Sequence, residues 1–171
     1  ATERADVIVT QIHGGEEYQR TPTRELQDLT DTAIAAGSDL VVNHHPHVSG
    51  GLEARDGALI AWSMGNLFFD QNLWATYRSF VLQVTVTPNG VQSARAEPIL
   101  IEGYTPRGVT GPLRNRLTWE LAGLSDGSFA IAGDTLAYQP NVERTPPEHL
   151  TLDGGIQRRV RGWVADSDDP V

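Results

Sequence analysis

Val7-Ile8-Val9-Thr10-Gln11-Ile12 runs directly into His13-Gly14-Gly15-Glu16-Glu17-Tyr18, and the reading of this stretch decides the fold. β-Branched side chains lose freedom in a helix and pack well on a pleated surface, so 7–12 reads as a buried strand that hands over to a glycine loop. Thr21 and Pro22 then supply an N-cap and first-turn pair. Leu26, Leu29, Ala33 and Ile34 recur at helical spacing until Gly37 provides the stop. Asp39-Leu40-Val41-Val42-Asn43 reads as a second buried strand, and it opens into His44-His45-Pro46-His47. Strand, helix and strand within about 35 residues predict a right-handed crossover to a parallel neighbour.

Outward from this unit, Asp56-Gly57 predicts a hairpin turn whose second strand, Leu59-Ile60-Ala61-Trp62, closes on Ser63-Met64-Gly65-Asn66. Phe80, Leu82, Val84 and Val86 alternate with Val81, Gln83, Thr85 and Thr87. Pro88-Asn89-Gly90 then turns the chain into 91–101, so an antiparallel pair follows and the sheet is mixed. Leu113, Leu117, Leu121 and Leu124 predict a short helix, and 129–138 reads as one strand before a polar, Pro-containing stretch around 145–147. The expected division is a main domain over 1–102 and an appended α+β region over 103–171. Arg158, Arg159 and Arg161 beside Trp163 read as a solvated strand face, and 166–171 as an acidic end.

With 171 residues, 39% apolar and 20% charged, the chain can bury one sizeable core without covalent staples. It contains no cysteine, which removes thiolate metal sites, thiol nucleophiles and disulfide frameworks. A net charge of -9 repels phosphate backbones and anionic lipid, so no nucleic-acid partner is expected. The longest apolar runs are of strand length, far short of the ~20 residues of a bilayer span.

His13, His45 and His47 are three of five histidines, and each falls where a strand meets a loop. Parallel strands present their carboxyl ends to one crevice, so these imidazoles can converge there and bind Zn, Mn or Fe. The competing reading makes 44–47 a polar turn with its rings in solvent. Glu16 and Glu17 follow His13, where a carboxylate can bind metal, orient a ligand or move a proton, or can stand solvated. Tyr18 suits packing or substrate contact. Ser63 and Asn66 suit hydrogen bonds to substrate or an Asx-type turn. The chain has neither G-x-S-x-G nor a strand-linked G-x-G-x-x-G, which removes support for serine hydrolysis and nucleotide binding.

His13-Gly14-Gly15-Glu16-Glu17-Tyr18, Ala36-Gly37-Ser38-Asp39-Leu40-Val41-Val42, His45-Pro46-His47-Val48 and Ser63-Met64-Gly65-Asn66-Leu67-Phe68-Phe69-Asp70, in this order across 6–102, resemble the CapA-type capsule and poly-γ-glutamate synthesis family. Gly14 stands where the family pattern has Trp, and Asn43 where it has Gly. The resemblance implies an α/β fold, the C-terminal half of a four-layer α/β/β/α sandwich of the calcineurin-like metallophosphoesterases. It implies His13, His45 and His47 as metal ligands, Glu17 as a catalytic group, and Tyr18, His44, Ser63 and Asn66 as substrate contacts. Two divalent ions (Mn, Fe or Zn) are expected in the complete domain. The family's earlier half, with its further carboxylate ligands, has no counterpart before Ala1. The expectation is therefore the C-terminal part of a longer protein or one of two assembling pieces, inactive alone.

The implied activity is metal-dependent hydrolysis or transfer on an anionic cell-surface polymer or a phosphoester. The implied location is extracytoplasmic, with a membrane-bound synthase complex as a possible partner. Two alternatives stand beside it: a non-catalytic polymer-binding or scaffold protein of such a complex, and a general metallophosphoesterase.

Overall fold

In the computed structural model, which describes residues 5–140 and the backbone of 159–160 and 163–164, the chain opens on the expected parallel crossover. β1 (Val9–His13) pairs in parallel with β2 (Leu40–His44), and α1 (Arg24–Ala35) lies between them in sequence. The register sets Val9 opposite Leu40 and His13 opposite His44, so pairing alone delivers two imidazoles to one end of the sheet. β4 (Ala58–Ala61) runs parallel on the far side of β2, and β3 (Leu52–Arg55) closes the sheet antiparallel, in the order β1-β2-β4-β3. Asp56 (φ 51°) and Gly57 (φ 84°) make the turn between β3 and β4, as an Asp-Gly pair allows.

α1 starts later than the sequence suggests. Thr23 is the N-cap, its Oγ1 accepting the Leu26 N–H at 3.2 Å, and Pro22 stays outside with its carbonyl accepting from Gln27 Nε2 at 3.0 Å. Thr23 keeps the extended backbone (φ -66°, ψ 159°) that a cap requires, so its hydroxyl takes the role expected of Thr21.

The second sheet is antiparallel. β5 (Arg78–Thr87), which follows the short helix α2 (Trp74–Tyr77), pairs with β6 (Gly90–Glu102), with a bulge between Thr85 and Val86. β7 (Thr105–Gly108) folds back on the end of β6, and α3 (Gly111–Leu124) follows. The single strand expected over 129–138 is instead a hairpin, β8 (Phe129–Ala132) and β9 (Thr135–Tyr138). Gly133 at φ 64° turns the chain there, a conformation that costs glycine nothing. β9 pairs with β6, so the position expected as a boundary, residue 102, falls within one continuous sheet.

Alternate residues of β4 face opposite ways. Leu59 and Ala61 join Leu40 and Leu52 against Phe80, Ala94 and Ala96 of the second sheet, with Leu121, Phe129 and Leu136 completing this core. Ile60 and Trp62 instead pack with Leu26 under α1. The first sheet is thus covered on both faces, which is why β2 and β4 read as unbroken apolar runs. The observed architecture is α/β, with one mixed and one antiparallel sheet. Gly51 marks the tightest approach: a Cβ there would lie 1.9 Å from the Leu124 carbonyl oxygen. No described helix is long and apolar enough to cross a membrane.

Backbone strands β10 (Arg159–Val160) and β11 (Trp163–Val164) pair antiparallel. The stretch 145–147, the end 166–171 and the side chains of Arg158, Arg159, Arg161 and Trp163 lie outside the described residues.

Candidate metal centre

β1 and β2 end side by side, and their following loops are stitched together. Gly14 N–H donates to the His44 carbonyl at 3.1 Å, and Tyr18 N–H to the Pro46 carbonyl at 2.8 Å. Gly15 (φ 107°) lets the first loop lie close: a Cβ there would meet Leu26 Cδ2 at 3.2 Å and Pro46 Cγ at 3.7 Å. Three non-glycine residues of these loops hold positive φ, Tyr18 at 64°, His45 at 101° and His47 at 61°. Such backbone costs of order 1–3 kcal/mol per residue and persists only where the surroundings enforce it. Here it aims the two rings that flank Pro46.

The result is a cluster. Glu17, His45 and His47 offer donor atoms that all lie within 4.8 Å of one another, the carboxylate exposed and both rings half-buried. The His13 ring centroid stands 5.0 Å from that of His45 at 58°, and His45 stands 6.0 Å from His47 at 53°. Tyr18 lies 6.4 Å from His47, centroid to centroid. Five residues expected at the site, His13, Glu17, Tyr18, His45 and His47, are therefore neighbours, and the three donors that converge are Glu17, His45 and His47, with the His13 ring beside them. His44 pairs in register with His13, and burial followed by the nearby His13 charge lowers its pKa.

Behind the cluster runs a polar relay. His47 Nδ1 lies 2.8 Å from Asn66 Oδ1. An amide oxygen can only accept, so Nδ1 donates in this contact and Nε2 is the nitrogen left for a metal. Asn66 Nδ2 donates to Gln71 Oε1 at 3.0 Å, and Gln71 Nε2 donates to the Tyr18 hydroxyl at 3.1 Å. Three loops are tied through four side chains. Asn66, expected to contact substrate, is 7% exposed and holds His47. Ser63, also expected to contact substrate, is 2% exposed, and its Oγ accepts the Gly65 N–H at 3.2 Å, so it builds the turn. Sequence reading missed Gln71 and also Phe69, whose ring stands 4.8 Å from His47.

The donor set fits a metal ion. Two neutral imidazoles and a carboxylate suit Zn, Mn or Fe. Around a tetrahedral ion with bonds of ~2.1 Å, donors stand about 3.4 Å apart, so three donors gathered within 4.8 Å are near ligating separation, and Glu17, the exposed member, is the freest to adjust.

Residues 1–71 match the family described as Bacterial capsule synthesis protein PGA_cap. His13, Glu17, Tyr18, His45, His47, Asn66 and Gln71 all fall inside that match. Over 106 residues the chain is 37% identical to the PGA biosynthesis protein CapA of Bacillus subtilis (strain 168), covering 62% of this chain and 28% of that protein. Over 118 residues it is 34% identical to the capsule biosynthesis protein CapA of Bacillus anthracis, covering 68% and 29%. The chain thus spans less than a third of the length of these curated relatives.

Proposed function

This chain belongs, through residues 1–71, to the CapA-type bacterial capsule synthesis family, and from that premise we propose that it binds a divalent metal ion at Glu17, His45 and His47 and acts through that site in capsule or poly-γ-glutamate biosynthesis. The convergence of those three donors within 4.8 Å, from loops after two adjacent parallel strands, is the observation that carries the reading. A divalent ion there would polarise a carbonyl or phosphoryl oxygen and bring the pKa of water toward neutrality.

The chain's own residues set up the rest. His47 presents Nε2 because Asn66 occupies Nδ1. Glu17 has two oxygens, one to serve as donor and one to take a proton from an attacking hydroxyl. His13, whose ring centroid stands 5.0 Å from that of His45, lies beside this donor group and is not one of its three donors. Tyr18, positioned by Gln71, and Phe69 wall the group, with His44 at its edge as a substrate contact. In this reading the two sheets form part of a metallophosphoesterase-like α/β/β/α sandwich. A second ion and its extra carboxylates come from the remainder of the family's longer chain. The substrate is an anionic cell-surface polymer or a phosphoester, handled outside the cytoplasm, with a membrane-bound synthase complex as the assembly.

Equilibrium dialysis against Mn, Fe(II) and Zn tests the site. Stoichiometric binding by the parent, weakened at least about tenfold in a folded His45→Ala, His47→Ala variant, is expected. Equal binding by parent and variant overturns the assignment, and a metal-free parent that retains polymer moves the chain to the scaffold reading. Turnover of an aryl phosphate, abolished by chelator, selects phosphoester chemistry.

A further inference from the structure

Away from the histidines, positive charge is concentrated at one point of an acidic chain. Arg20, Arg78 and Arg116 all approach a single carboxylate, Glu120. Arg78 Nη1 lies 2.6 Å from Oε2, Arg116 Nε 3.4 Å from Oε1, and Arg20 Nη1 3.9 Å from Oε2. Among the described residues, no second acid lies within ion-pair distance of these three guanidiniums. The group therefore carries two uncompensated positive charges in a chain of net charge -9. Arg78 is also short of partners: its Nε is buried with no acceptor among the described residues, and its guanidinium lies 5.7 Å over the Trp74 ring. Arg20 is held next to it, and burial together with the Arg78 charge lowers the Arg20 pKa. The fold holds like charges together with donors unspent, and an anion would use them.

Access is provided at Arg20, whose side chain is 30% exposed and lines two adjoining clefts. One is narrow and is shared with Arg78, Ser49, Ser79 and Glu120. The other is an open groove of about 250 Å³ whose walls include Thr21, Pro22, Gln27, Trp62, Leu124 and the Arg55–Glu53 ion pair, in which the Glu53 carboxylate is already matched by a guanidinium. Pro22, Trp62 and Leu124 give the groove an apolar side for a carbon stem, and Arg20 lines both clefts and so links them.

We propose that Arg20, backed by Arg78, is the head of a binding site for an oxyanion, a carboxylate or phosphate group, entering along the groove beside Trp62 and Leu124. A guanidinium matches either group with paired N–H donors, and Glu120 keeps the two arginines positioned without neutralising both. The site uses none of the residues assigned to the metal and stands or falls separately from them.

The test uses the full chain freed of metal on a chelating resin, titrated with inorganic phosphate and with glutarate while the Arg Nε–Hε resonances are followed by NMR. The expected result is saturable shifts at Arg20 and Arg78 with one or both probes. Apparent affinity should fall about tenfold in Arg20→Gln, fall by a smaller factor in Arg20→Lys, which keeps the charge and loses the paired donors, and stay unchanged in Arg24→Gln, a control on an exposed ion pair. Phosphate alone saturating identifies a phosphoryl ligand, and glutarate alone a carboxylate ligand. Linear shifts reproduced by chloride, or equal affinity in Arg20→Gln, overturn the proposal. The His45→Ala, His47→Ala variant must bind the same probe with parent affinity, and its loss of binding overturns the separateness of the site.

Discussion

Replacing Asn66 with alanine removes the acceptor that fixes the protonation pattern of His47. The lost contact is a 2.8 Å bond from a ring N–H to an amide oxygen that is almost fully buried. Such a bond contributes about 1 kcal/mol net to stability. Its larger effect is on the ring: without Asn66 the proton is free to move to Nε2, the nitrogen that the Asn66 contact leaves available to a metal. Loss of an outer partner of this kind costs about 10–100-fold in metal affinity, or roughly 1.4–2.7 kcal/mol. Asn66→Asp works in the opposite direction, because a carboxylate accepts more strongly than an amide, so affinity holds or rises. Calorimetric titration with Zn reads the affinity, and ¹⁵N shifts of the metal-free His47 ring read the proton: on Nδ1 in the parent, divided between both nitrogens in Asn66→Ala. Unchanged affinity in Asn66→Ala, or a parent ring protonated on Nε2, would show that Asn66 does not set the position of the His47 proton.

Further predictions concern the scaffold that carries the site. Gly51→Ala forces a methyl into the Leu124 carbonyl, 1.9 Å from the ideal Cβ, and chemical denaturation should show a loss of about 3 kcal/mol or more, since backbone must move. Asn43 and Thr30 are both fully buried and share one long contact of 3.5 Å, leaving Asn43 Nδ2 without an acceptor among the described residues. The double substitution Thr30→Val, Asn43→Leu should raise the unfolding free energy by about 1 kcal/mol, because the unsatisfied Asn43 amide and the hydroxyl that bonds to it only weakly leave together. Thr23→Ala should cost about 1 kcal/mol and loosen the first turn of α1, whereas Thr21→Ala should be near neutral; thermal melts of the two variants distinguish them.

The elements that sequence reading found are those with a local signal. The β-branched run before His13, the leucines of α1 and the Asp56-Gly57 turn each declare themselves within a few residues, and the parallel pairing of β1 with β2 follows from the helix between them. The helix start was misplaced because Thr21 and Thr23 both offer a capping hydroxyl, and only the backbone conformation decides between them. The β8–β9 turn has a local signal in Gly133-Asp134, but the four-residue stretches on either side are both largely apolar and read as one run. The histidines could be gathered in advance because strand ends converge at one edge of a parallel sheet. Gln71 could not: it reaches Tyr18, 53 positions away, only after the 67–73 segment has folded across the site, and a lone amide in a polar loop carries no periodicity. Asn66 and Ser63 stand three residues apart in one motif, yet one holds His47 and the other holds Gly65, a division set by which way each side chain leaves the turn.

X-ray absorption at the zinc edge, on the chain loaded with one equivalent of Zn, examines the ion's ligands directly. The expected shell contains imidazole nitrogen from two histidines and a carboxylate oxygen, and its imidazole scattering falls by half in His47→Ala. An oxygen-only shell, or a spectrum unaltered by that substitution, would contradict ligation by these residues.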